Sequence, residues 1–379
     1  MKVLLISKTF MGKAYHKKLE EQINLGIDLY LVTPSHWGNI PLEVKPGEIR
    51  DYKVYTLPTA LNGKNHFYFF KANIGDYIKS IKPDLIHIHE EPWSLVTYQC
   101  LRANKKFNIP TIGFTWQNIH KKYPFPFSYF EKYAYKNMKG IIAGNREAEE
   151  VLRKKGYKGF TGIIPEVGVD ERVFKPIDNH ELRESLGLNE KFVIGYFGRF
   201  VVEKGIHLLL EAFKRLLKDF KNIRLLLVGS GPERENIVNF VNNYNLENFV
   251  IVLNQVKTTD VAKYMNLLDV LVLPSFEYRG RFWKGWKEQF GRVLIEAMAC
   301  EVPVIGSNSG EIPYVIGDAG LVFKEKDGED LLKKLKILIL NDELRNQLKR
   351  KGRERVLKKY TQTIIARQTN DFYMKVFNL

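Results

Sequence analysis

The chain has 379 residues and a formal net charge of +16, with 45% hydrophobic and 13% aromatic residues. That composition is globular and excludes wholesale disorder, while the length exceeds one ordinary core, so two domains are expected. The positive charge is spread over both halves, which excludes a simple basic tail and suits an anionic partner: a nucleotide, a membrane surface or nucleic acid. Cys100 and Cys300 make neither a metal-site spacing nor a disulfide framework, so a reducing, cytoplasmic setting is expected. No apolar run approaches the ~20 residues needed to cross a bilayer. The opening MKVLLISKTF reads as a first strand rather than a signal peptide.

Short β-rich runs alternate with longer helical patterns along the chain. In the first half, strands are predicted at residues 3–6, 29–32, 52–57, 85–88, 111–114, 140–143 and 161–164. After the polar stretch KPIDNHELRESLGLNEK a second series follows at 192–198, 223–228, 249–253, 270–273, 302–306 and 320–323. Continuous rather than alternating hydrophobicity predicts strands covered on both faces, as in parallel sheets with crossover helices. The expected fold class is α/β, with two Rossmann-like parallel-sheet domains joined near residue 180. Such sheets bind ligands at the carboxyl ends of their strands, so a cleft between the domains is the expected site.

The second half opens with FVIGYFGRFVVEKGIHLLLEAFKRL. A strand ends in Gly198 and Arg199, and Lys204 precedes a helix, so two cations stand beside a helix N-terminus that itself favours anions. A phosphate or diphosphate suits them; solvated Arg and Lys in an ordinary turn is the alternative, and the motif alone favours it. The later LLLVGSGPERE lacks the spacing of a phosphate loop and reads as a structural turn.

The stretch WKEQFGRVLIEAMACEVPVIGSNSGEIPYVI places Glu288 and Glu296 eight residues apart around a helix start expected near Phe290. Glu296 lies among Val293, Leu294, Ile295, Ala297 and Met298, where a carboxylate needs a partner to offset its desolvation. A ribose diol, donating two hydroxyls, fits that need. Glu288, at the helix mouth, suits either sugar hydroxyls or a first-turn pairing with the helix dipole, and Gly291 makes a close backbone approach possible.

This Glu-x7-Glu segment resembles the signature of family-four retaining glycosyltransferases of the GT-B fold. GRFVVEKG, IIPEVGVDERVFKP and KPDLIHIHEEP resemble the family as well, so the likeness spans about residues 1–350. It implies GT-B architecture: an acceptor-binding domain over 1–178, a nucleotide-sugar-binding domain over 179–355, and a helix over 356–379 packing back on the first domain. It also implies roles. Arg199 and Lys204 match the pair that grips the donor diphosphate, and Glu288 matches the carboxylate beside the donor sugar; these three are the expected catalytic residues. Glu296 matches the ribose-binding carboxylate, with Gly198, Val256, Gln289, Phe290 and Gly291 as further donor contacts. No Asp-x-Asp occurs, so neither metal nor cofactor is expected. The retention that the resemblance implies, without a well-placed nucleophile, fits front-face attack in which the leaving phosphate takes the acceptor proton.

The N-terminal half departs from the family pattern. The loop SKTFMGKAYHKK carries only Gly12 where many relatives have a Gly-Gly pair, and FTWQNIHKKYP puts Gln117 or Asn118 where many carry a histidine. Tyr314 stands where relatives often have Glu. The expected acceptor-side residues are Glu90, Glu91, Gln117, Asn118 and His120. The acceptor itself is expected to be a glycan, a lipid-linked intermediate or a small molecule. KKYPFPFSYFEKYAYKNMKG interleaves aromatics with lysines, which suits either peripheral docking on the inner, anionic face of a membrane or a helix packing Phe130 and Tyr133 into the core. RGRFWKGWK, leading into Glu288, suits a gate over the donor or a contact to a polyanionic acceptor. Two other classes remain: a non-hydrolysing sugar-nucleotide epimerase sharing the GT-B architecture, and a nucleic-acid-binding protein, for which no zinc-finger, helix-turn-helix or ribonucleoprotein motif is present.

Overall fold

The computed structural model describes residues 1–12, 15–38, 40–41, 52–166, 168–279 and 285–379. Residues 13 and 14 of SKTFMGKAYHKK, residue 167 of IIPEVGVDERVFKP and residues 280–284 of RGRFWKGWK lie outside the described residues. The chain divides into two compact units. One comprises Met1–Gly168 with Gln362–Leu379, the other Val169–Thr361.

The first unit is built on a seven-stranded parallel sheet. Its order is Phe160–Ile163, Gly140–Ala143, Thr111–Thr115, Leu85–Ile88, Lys2–Ile6, Asp28–Pro34 and Lys53–Leu57. Side chains alternate across a strand. Leu4 and Ile6 therefore enter one apolar cluster with Ile86, Ile88 and Ile141, while Val3 and Leu5 enter the other with Leu29, Leu31 and Ile112. The C-terminal helix Gln362–Phe377 covers the second face, burying Ile365, Phe372, Tyr373 and Val376 in that cluster. Covering both faces is what makes these strands read as unbroken apolar runs. Order reverses between Lys2–Ile6 and Leu85–Ile88, which is the switch point of this sheet.

The second unit carries a six-stranded parallel sheet in the order Val250–Leu253, Ile223–Val228, Phe192–Phe197, Val270–Leu273, Val304–Ser307 and Gly320–Phe323. Helix Ile206–Leu216 packs on it through Ile206, Leu209, Leu210, Phe213 and Leu216, the apolar stripe that a 3.6-residue period demands. Here the switch point falls between Phe192–Phe197 and Val270–Leu273.

Each of the thirteen strands expected from the sequence has its counterpart, with shifts of one or two residues at the ends. One shift has a clear cause. The run at 302–306 starts its ladder only at Val304, because Pro303 has no N–H to donate. Two small antiparallel ladders, His36–Trp37 with Ile40–Pro41 and Thr59–Ala60 with Phe69–Phe70, were not foreseen, since two-residue strands carry no periodicity. Among the described residues no helix is long and apolar enough to cross a membrane.

Candidate functional site

The loops that leave the second sheet at its switch point bring the expected catalytic residues together. After Phe192–Phe197 come Gly198 and Arg199, then a 3-10 turn over Val202–Lys204. Gly205 follows with φ +70, and a Cβ there would lie 2.1 Å from the Pro274 carbonyl oxygen. Only glycine permits that approach. It seats Lys204 beside the chain leaving Val270–Leu273, an arrangement reinforced where Phe276 N–H donates to the Glu203 carbonyl at 3.0 Å.

Lys204 Nζ lies 2.5 Å from Glu288 Oε2, and the Ser275 hydroxyl donates to that same oxygen at 2.8 Å. Ser275 is fixed in turn, because Ser307 Oγ donates to its carbonyl. Glu288 is buried, and its main chain is held by Gly310 (φ +56), where a Cβ would sit 1.9 Å from the Glu288 carbonyl oxygen. The indole of Trp286 covers the Lys204 ammonium, with Nζ 4.9 Å from the ring centroid.

Beyond Glu288, Gln289 is half-buried and Phe290 packs edge-on against Tyr360 at 5.8 Å. Gly291 adopts φ +79 and caps helix Arg292–Ala299, which therefore starts two residues later than the sequence suggested. The cap positions its first-turn amides toward the same sheet edge. Glu296 lies one turn in, with its side chain 14% exposed. Its partner is Arg292, whose Nε approaches Oε1 at 2.9 Å across the i,i+4 spacing. Burial pushes the Glu296 carboxyl above its ordinary value, and the Arg292 guanidinium pulls it partly back. Sequence reasoning looked for this partner in a ligand and missed the arginine four residues upstream, although that spacing was the available signal.

Glu296 faces a cavity of about 280 Å³ walled by Gly198, Arg199, Gly229 and Val256, with Phe197 and Val293 as apolar lining. The Arg199 side chain is exposed, and its guanidinium makes no hydrogen bond or ion pair to any described residue. Gly198, Arg199, Val256 and Glu296 thus share one cavity, while Lys204 and Glu288, which do not line it, form an ion pair on the loops that leave the same sheet. An uncommitted cation, a buried carboxyl whose raised pKa an arginine offsets only in part, and an apolar slot suit a ligand with an anionic centre and vicinal hydroxyls.

The five acceptor-side residues behave differently. Glu90 accepts from Lys8 N–H at 2.9 Å and Tyr68 OH at 2.8 Å, and pairs with Lys8 Nζ at 2.5 Å. Glu91 accepts from Thr115 Oγ1 at 2.6 Å and Trp116 N–H at 2.9 Å, with burial pushing its pKa up. Both carboxylates are therefore engaged in fixing loops at the strand ends of the first sheet. Gln117 Nε2 donates to the Ile119 carbonyl at 3.3 Å, Asn118 Nδ2 to Glu147 at 3.4 Å, and His120 is exposed. Lys8, which neutralises Glu90 at the switch point of this sheet, was not foreseen. Nearby His66 is held down to about 4 by burial and by Lys8, so it is neutral at pH 7. In KKYPFPFSYFEKYAYKNMKG, helix Phe127–Asn137 buries Phe130 and Ala134, whereas Phe125 is 83% exposed.

Two parallel α/β sheets, the second with its cations and carboxylates at the switch point, define the GT-B class. The chain belongs to the family-four glycosyltransferases: residues 178–355 match the family described as Glycosyl transferases group 1, and residues 16–166 match Glycosyltransferase Family 4. It is 34% identical over 237 residues to the capsular polysaccharide biosynthesis glycosyltransferase CapM of Staphylococcus aureus, covering 62% of this chain and 58% of that one. It is 31% identical over 211 residues to N-acetyl-alpha-D-glucosaminyl L-malate synthase of Bacillus anthracis, covering 55% and 52%. These matches thus span little more than half the length of either relative. The solved structure of Anabaena HepE in complex with UDP superposes with a TM-score of 0.75 over 99% of this chain and all of that one, at 18% identity.

Proposed function

We propose that this protein transfers a sugar from a nucleoside-diphosphate sugar, UDP- or GDP-linked, to a hydroxyl of a glycan or lipid-linked acceptor, with retention and without a metal ion. The observation that carries this reading is the pairing of Lys204 with Glu288 beside the open Arg199–Glu296 cavity at one sheet edge. Breaking a sugar–diphosphate bond develops negative charge on the leaving oxygen, and preorganised cations at that oxygen are the largest single help. Arg199 and Lys204 supply those cations. Glu296 accepts both hydroxyls of the ribose, and Val256 borders the base. Glu288, released from Lys204 as the diphosphate arrives, accepts from a hydroxyl of the donor sugar. The departing phosphate oxygen then takes the proton of the attacking acceptor on the same face, which preserves configuration.

UDP, the nucleotide in the HepE complex, is the first to test. The capsular role in the name of CapM makes a polysaccharide intermediate the first acceptor to try. The experiment is a thermal-shift screen of UDP- and GDP-sugars, since a bound donor raises stability by mass action. Turnover of the best donor follows, with Lys204→Ala and with EDTA. Lys204→Ala is expected to remove most turnover and EDTA to leave it unchanged. Near-normal rates in the variant, or loss with the chelator, would refute the proposal.

A further inference from the structure

Trp286 is not among the residues that the Glu-x7-Glu pattern points to, yet its indole lies against the Lys204 ammonium, 4.9 Å from ring centroid to Nζ. Its backbone is clamped, because Trp286 N–H donates to the Tyr278 carbonyl at 2.7 Å and Tyr278 N–H donates back at 2.9 Å. The Lys204 side chain is only 15% exposed and touches Glu288 as well as the indole. The ammonium is therefore held by one carboxylate oxygen and one ring face. Ser275 donates to that oxygen too, so Glu288 keeps one hydrogen bond when the lysine leaves it.

On the reading that Lys204 meets the donor diphosphate, its carboxylate partner must be exchanged for phosphate. We infer that Trp286 is a positioning residue for this exchange, keeping the ammonium at the phosphate position while Glu288 turns to the sugar. The physics favours an indole for the task. Its face attracts a cation through the ring quadrupole, more strongly than Tyr or Phe and most where water is excluded. Unlike Glu288, it offers no charge that competes with phosphate for the lysine. Without it the flexible four-carbon stem regains rotamers that must be frozen again at every binding event.

The test compares UDP and uridine binding in the full chain, by calorimetry and NMR titration, for wild type, Trp286→Phe and Trp286→Leu. Leucine keeps an apolar side chain but loses the ring. Expected is a loss of UDP affinity of roughly threefold to thirtyfold in Trp286→Leu, with uridine affinity unchanged and most of the loss restored in Trp286→Phe. Unchanged uridine affinity also shows that the nucleoside pocket is intact. UDP affinity at the wild-type level in Trp286→Leu overturns the inference. So does an equal loss for UDP and uridine, which would make the indole a wall of the nucleoside pocket. Wild type that binds neither UDP nor GDP overturns the donor reading itself, and is seen before any variant is compared.

Discussion

Glu296 stands between two demands. On the proposed reading it must be ionised to accept two ribose hydroxyls, yet burial favours its neutral form, and Arg292 offsets that penalty only in part. A carboxyl whose folded pKa exceeds its unfolded value binds its proton more tightly when folded. Stability is then greatest below the unfolded pKa, and falls as pH rises through the folded one. At neutral pH the ligand-free protein therefore bears a cost at this position. Glu296→Gln is expected to raise the melting temperature of the ligand-free protein while weakening UDP by roughly tenfold or more. Wild-type UDP affinity should also fall with acidification from a pH above the ordinary carboxylate value of 4.5, and the variant should lack that dependence. Calorimetry across pH 4–8 checks both. A variant that is less stable and binds UDP as wild type would remove Glu296 from the site.

At the scale of elements, the site depends on turns that only glycine can make. Gly310 holds φ +56 with its Cβ position 1.9 Å from the Glu288 carbonyl oxygen. Gly310→Ala must push that carbonyl away, at a cost of about 1–3 kcal/mol, and so displace Glu288 from Lys204 and Ser275. We expect a lower melting temperature together with turnover reduced at least tenfold; full activity at unchanged stability would contradict the placement of Glu288. The sequence was legible here to different depths. Runs such as 85–88 and 140–143 stood out because both faces of each strand are buried. The Lys8–Glu90 pair was not legible, since its members are 82 residues apart and meet only through sheet order. Arg292–Glu296 was legible as an i,i+4 pair but was masked by attention to the ligand. The Trp286–Lys204 contact was hidden because the RGRFWKGWK stretch reads as a loop with no periodicity to fix where its rings go.

For the molecule as a whole, the net charge of +16 and the aromatic surface of the first unit bear on where the acceptor is met. Phe125 is 83% exposed, Phe67 47% and Tyr129 45%. Phe67 reaches Phe127 edge-on at 5.0 Å, and Lys122, Lys132 and Lys136 are exposed in the same segment. Aromatics fringed by lysines suit an anionic bilayer that presents a lipid-linked acceptor. Sedimentation with phosphatidylglycerol vesicles at low salt is expected to carry the protein down, phosphatidylcholine vesicles to leave it in solution, and Phe125→Ser to weaken the effect. No association with either lipid would discard the membrane reading while leaving the donor site untouched.

The proposed donor site is tested most directly by a crystal structure with UDP. The diphosphate should lie against the Arg199 guanidinium and the Lys204 ammonium, with both ribose hydroxyls on Glu296 and the uracil beside Val256. A nucleotide bound elsewhere, or a divalent ion bridging its phosphoryl oxygens, would contradict the proposed chemistry.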